Sequence, residues 1–164
     1  MRFIKLIVIS VLVLFCLVTA LGLLFPSVVI VSRAVDINAP KDSIFLLVKD
    51  INGWRKWMEG LNYTTVTMSS PTKAILGKTE VAITAATPAN ITSDWVSKNG
   101  SKQTSAINIF GDSTQPKVVV QWQFVQQLKW YPWERFASMM NDKILGTMME
   151  KNLNNLKTIL ENRE

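Results

Sequence analysis

The chain has 164 residues, a formal net charge of +6, one cysteine and no histidine. Without histidine there is no Ser-His-Asp triad, no Cys-His pair, no His-ligated zinc and no imidazole switch near neutral pH, and one cysteine excludes an internal disulfide. The lysines are scattered and no nucleic-acid motif accompanies them, so the basic balance reads as a solvated surface beside lipid headgroups, with no nucleic-acid partner expected.

From Leu6 to Phe25 no residue is charged. At about 1.5 Å of rise per residue such a helix covers roughly 30 Å, the thickness of a bilayer hydrocarbon core. Arg2 and Lys5 precede it, and positive charge beside a span end stays cytoplasmic, which predicts a single-pass protein with residues 28–164 on the periplasmic or extracellular side. A cleaved signal peptide is the alternative, with Val18-Thr19-Ala20 as its site. Against it, the apolar run exceeds the usual 7 to 15 residues of a signal core and continues through Leu21, Leu23, Leu24 and Phe25. Cys16 follows Val13, Leu14 and Phe15 rather than the small residues of a lipoprotein signal, and is read as a thiol buried in the span. The chain thus divides into an anchor, 1–27, and one domain with one core, 28–164.

Val28 to Ile37 is rich in β-branched residues and predicts a strand that stops before Pro40. Asp42 and Ser43 suit a first helical turn, Ile44, Leu47 and Val48 have helical spacing, and Gly53 interrupts the pattern before Trp54 and Trp57. Strand-like runs then recur between turn signals at 62–69, 78–85, 90–97 and 103–110, with Lys98-Asn99-Gly100-Ser101 as a hairpin loop, which predicts an antiparallel meander. Residues 117–126 carry the clearest alternation: Val118, Val120, Trp122 and Phe124 point one way, and Val119, Gln121 and Gln123 the other.

Leu128 to Phe136 reads as an aromatic loop centred on Pro132. Asn141 is expected to cap a final helix of about 20 residues, whose stripe is Leu145, Met148, Met149, Leu153, Leu156, Ile159 and Leu160. Gly146 inside it costs about 1 kcal/mol relative to alanine and marks a bend or a close approach.

This order is that of an α+β helix-grip domain, a curved antiparallel sheet wrapped on a long C-terminal helix. The chain resembles the SRPBCC (START/Bet v 1-like) superfamily, and among its members the membrane-anchored bacterial polyketide cyclase/dehydrase-like proteins. The resemblance rests on Arg33, on Ile37-Asn38-Ala39-Pro40 with Ile44-Phe45, on Asp50, Trp54 and Trp57, on Val118 to Trp122, and on Gly146 to Glu161 with Glu150, Leu153, Leu156 and Lys157. It departs from the family between Tyr63 and Thr84, where the segment is short and polar. What it implies is an apolar cavity between sheet and helix that takes a lipid, polyketide or other hydrophobic small molecule.

From strand parity and the helix stripe, the candidate lining residues are Trp57, Ile83, Trp95, Trp122, Phe124, Leu145 and Met149. Arg33 shares the parity of Val31 and Val35, which makes it either a charged handle for a ligand headgroup or a rim arginine paired with an acid. No cofactor or metal is expected, and there is no Gly-rich phosphate loop. Two other functions stay open. One is an enzyme of the cyclase or hydratase sort using Glu80 or Asp94, the mid-sheet acids, although both fall opposite their apolar neighbours and no catalytic residue is assigned. The other is an interaction module in which Trp130, Tyr131 and Trp133 dock a protein or the bilayer interface.

Overall fold

The computed structural model of the chain describes residues 2–24, 26–61, 66–112, 115 and 117–162. Phe25, the end of the expected span, and residues 62–65, the start of one expected strand, lie outside them. An apolar helix α1 (Arg2–Leu23) leads to strand β1 (Val28–Ile37) and two short helices, α2 (Lys41–Val48) and α3 (Ile51–Trp57). Six strands follow: β2 (Val66–Ser70), β3 (Lys73–Leu76), β4 (Thr79–Ala86), β5 (Asn90–Ser97), β6 (Lys102–Phe110) and β7 (Val118–Gln127). A long helix α4 (Pro132–Glu161) closes the chain.

The strands form one antiparallel sheet in the order β1-β7-β6-β5-β4-β3-β2, so the first strand crosses over to pair with the last. Register shifts between Met68 and Ser70 and between Ile83 and Ala85 are bulges of the kind that bend a sheet. Side chains alternate between a concave face, which carries Val31, Val81, Ile91, Ile107, Ile109, Val120, Trp122 and Phe124 into the core, and a more polar convex face. The second half of α4 presses Met149, Leu153, Leu156 and Leu160 into that concavity. This is the helix-grip architecture that the order of elements predicts.

Two expectations are corrected. β3 was not foreseen; with four residues, Lys-Ala-Ile-Leu, it carries too little alternation to stand out, and only its pairing with β2 and β4 makes it a strand. α4 has 30 residues and starts at Pro132, not at Asn141. Proline is tolerated at a helix start because the amide it lacks has no partner there, so the aromatic segment after it is helical. The backbone of Asn141 lies within the helix, and its side chain lies outside the described residues.

The α2–α3 corner is built around tryptophan. Asp50 caps α3 by accepting the Gly53 N–H at 2.7 Å. The carbonyls that α2 leaves unpaired at its C-terminal end are taken up by indoles: Trp54 Nε1 donates to Val48 O at 2.6 Å and Trp57 Nε1 to Leu47 O at 3.0 Å. Gly53 lets the two helices approach, since a Cβ there would sit 2.5 Å from Leu47 O. Trp57→Phe keeps the ring and removes the donor, leaving a buried carbonyl without its partner. It is expected to cost about 1–3 kcal/mol, while Trp130→Phe at an exposed site stays within about 0.5 kcal/mol. Urea unfolding of the chain in detergent micelles, followed by near-ultraviolet circular dichroism, measures both; equal midpoints for the two variants would remove the capping role.

Candidate functional site

The concave face gathers the predicted lining residues into one aromatic assembly. Trp57 meets Trp122 edge-on at 5.6 Å between ring centroids, and Phe124 lies 5.4 Å from Trp122 and 5.4 Å from Trp95. Trp54 stacks on Trp95 at 6.4 Å. Trp57, Trp122, Phe124 and Met149 are fully buried, while Ile83, Trp95 and Leu145 are half-buried and packed against them.

Two serines inside the sheet make this assembly compatible with burial. Trp122 Nε1 donates to Ser105 Oγ at 2.7 Å and Trp95 Nε1 to Ser93 Oγ at 3.0 Å, with Ser93 and Ser105 paired across β5 and β6. Neither serine was singled out from the sequence, although each interrupts an inward-facing apolar row, which is the available signal. Asn152 and Asn155 on α4 were also missed. Asn152 Oδ1 accepts the Glu59 N–H at 2.8 Å and Asn155 Nδ2 donates to Trp57 O at 3.2 Å, so α4 is bonded to the end of α3. Among the described residues, no buried side-chain nitrogen or oxygen lacks a partner.

Arg33 is paired with acids, the second of the two roles its parity allowed. Its Nε donates to Glu150 Oε1 at 2.6 Å and its Nη1 to Asp142 Oδ1 at 3.1 Å, joining β1 to α4 at two points about two helical turns apart. Hydrogen bonds with Asp142 first, and then Glu150, hold the guanidinium above its ordinary pKa. The close approach expected at Gly146 is to this group: a Cβ there would fall on the Arg33 guanidinium, within 2.6 Å of Cζ.

The first half of α4 packs differently from the second. Among the described residues, its buried positions include Arg135 and Ser138. A cavity of about 730 Å³ opens there, between the start of α4, the β5–β6 hairpin and the end of β7. Val125, Leu128 and Ala137 provide apolar wall, and Ser101, Lys102, Gln126, Lys129, Glu134 and Ser138 provide polar groups. Gln126 bonds to Gln103 at 3.1 Å. The next side chain on the same face of β7 is Phe124, about 7 Å further in; it is buried in the core, and none of the predicted lining residues lines this cavity.

The acids considered for catalysis do not line the cavity themselves, although Asp94 bonds to two residues that do, Thr104 and Lys102. Glu80 is exposed, and Asp94 sits on the convex side, where it accepts from Thr104 Oγ1 at 3.1 Å and pairs with Lys102 at 3.0 Å. Glu134 is the carboxylate that lines the cavity, and its Oε2 accepts the Lys129 N–H at 3.0 Å. Among the described residues, no group of three or more acids, cysteines or histidines converges to hold a metal.

No family model matches the sequence, and no curated protein matches it. Solved structures do match in shape. A protein from Nitrosospira multiformis aligns at 12% identity with a TM-score of 0.64, covering 83% of this chain and 100% of that one. A START superfamily protein from Mycobacterium smegmatis aligns at 17% identity and a TM-score of 0.60, covering 82% of this chain and 99% of that one. The fold is the START-like helix grip. One half of the di-domain ARO/CYC StfQ of the steffimycin biosynthetic pathway shares it, at 12% identity and a TM-score of 0.63, covering 83% of this chain and 52% of that one. At such identities the likeness is one of fold, and function rests on the site.

The Arg33–Gly146 contact makes a sharp test of how β1 and α4 are joined. In an Arg33→Ala background, Gly146→Ala is expected to stabilise by about 1 kcal/mol through helix propensity. With Arg33 present the added methyl displaces the guanidinium, and the gain should shrink or reverse. A double-mutant cycle read from urea midpoints checks this; equal gains in both backgrounds would show that the two residues are uncoupled.

Proposed function

We propose that this protein is a single-pass membrane-anchored binder of an amphipathic hydrophobic small molecule or lipid. The reading places the amino terminus in the cytoplasm and the helix-grip domain on the periplasmic or extracellular side. The observation that carries it is the cavity between the start of α4, the β5–β6 hairpin and the end of β7, with apolar wall and polar groups together. A polar head would meet Lys129, Gln126 and Ser138, and an apolar portion would lie against Val125, Leu128 and Ala137. Trp57, Trp122 and Met149 belong to the packed core rather than to the cavity wall, and Arg33 holds β1 to the helix that borders the site. α1 is long and apolar enough to cross a bilayer and almost wholly exposed, which supports the anchor.

Binding is favoured over catalysis because of where the carboxylates lie. A cyclase-type reaction needs an acid or base free to face its substrate. Glu80 is exposed, Asp94 is engaged by Thr104 and Lys102 at the cavity's edge, and Glu134 is engaged by a backbone amide. Similarity to StfQ adds the fold and no acid/base arrangement.

Native mass spectrometry of the full chain released from nanodiscs, with identification of anything bound, tests the proposal. A reproducible amphipathic ligand is expected, lost in Ala137→Trp, which fills the cavity from α4 at an exposed position, while the circular dichroism spectrum is unchanged. A clean apo mass with no uptake from a lipid extract would end the binding reading.

A further inference from the structure

The first half of α4 carries a second surface that the binding site does not use. Trp133, Phe136, Met140 and Ile144 are 59%, 39%, 56% and 67% exposed. At 100° per residue they fall within an arc of about 80° on one face of the helix. The same face continues as Thr147 and Lys151, so the apolar stripe ends where α4 begins to grip the sheet. At its start, Trp130, Tyr131 and Trp133 form a stack with centroid separations of 4.8 and 4.9 Å.

This stripe is continuous with α1. Pro132 packs on Gly22, where a Cβ would lie 3.1 Å from the proline ring, and Arg135 Nη1 donates to Gly22 O at 3.3 Å. Further along, Val11, Leu14, Phe15 and Val18 of α1 face Pro132, Trp133 and Phe136 across an apolar groove. An exposed apolar helix of α1's length requires an apolar medium around its whole circumference. Whatever medium fills the groove to satisfy Val11 through Val18 also touches Trp133 and Phe136. A bilayer meets this requirement, whereas a second copy presenting a face to the stripe would leave most of α1 uncovered. The clustered tryptophans and tyrosine are the residue types that settle at a membrane–water boundary, and Lys129 and Lys143 flank them with charge suited to lipid phosphates.

We infer that the first half of α4, from Trp133 to Ile144, lies in the outer leaflet beside α1 and holds the mouth of the cavity against the lipid headgroups. This rests on the anchor and binding reading above and adds to it the source of the ligand. Glu134, Ala137 and Ser138, which line the cavity, lie roughly 60° to 160° around the helix from the centre of the stripe. With the stripe immersed, the mouth opens at the leaflet surface, and an amphipathic molecule passes from bilayer to cavity without crossing water.

The test uses the full chain with Cys16→Ser and single cysteines at Val18, Met140, Ile144 or Thr158, each carrying an environment-sensitive fluorophore. The chain is reconstituted in phosphatidylethanolamine/phosphatidylglycerol vesicles with nitroxide quenchers at defined depths on the lipids. Val18, Met140 and Ile144 are expected to be quenched, and Thr158 to behave as in water. If Val18 is quenched while Met140 and Ile144 match Thr158, the anchor stands and the inference fails. Quenching at Met140 and Ile144 without Val18 would support the stripe and remove the anchor. Blue-shifted emission at Met140 and Ile144 that ignores lipid quenchers and varies with protein concentration would mean that a second copy covers the stripe, which overturns the inference.

Discussion

Two indole N–H groups ending one short helix hold the corner on which the grip depends. α2 has 8 residues and α3 has 7, too few to be stable alone. Trp54 and Trp57 serve both: their N–H groups take the carbonyls left over at the end of α2, and their rings enter the core, where Trp54 meets Trp95 and Trp57 meets Trp122. The concave face cannot pack without that corner. The corner in turn is tied to α4 through Asn152 and Asn155, so sheet, short helices and long helix share a single set of satisfied polar groups.

α4 divides into two halves with different tasks. Its C-terminal half is a core helix, with Met149, Leu153, Leu156 and Leu160 buried and Glu161 accepting the Asn38 N–H at the end of β1. Among the described residues, its N-terminal half is polar inward, with Arg135 and Ser138, and apolar outward, the reverse of what a soluble helix needs. The inward change leaves the cavity, and the outward change leaves the stripe. Arg33, bridging Asp142 and Glu150 over Gly146, sits at the boundary between the halves and fixes how far the first half can lean from the sheet.

Much of the fold was legible because its signals are local. The alternation at 118–127, the β-branched run at 28–37, the Asn-Gly hairpin and the absence of charge at 6–24 each act within a few residues. The short strand β3 escaped because four residues carry little pattern, and the start of α4 escaped because proline punctuates a helix start and a loop alike. The parity that placed Trp122 and Phe124 inward also placed Arg33 on the concave face, yet parity does not say which acid waits there.

By itself the sequence determined the classes of chemistry that are absent, the apolar helix at the start, the strand directions of most of the sheet and the identity of the large groups in its core. These follow from composition and period, which need no knowledge of what lies across from a residue. Only the tertiary structure decided that Gly146 makes room for Arg33, that Ser93 and Ser105 receive indole protons, that a cavity opens between Gln126 and Ala137, and that the apolar face of early α4 runs alongside α1. Each of these joins residues far apart in the chain, and such pairings are set by how elements cross in space, which no local pattern encodes.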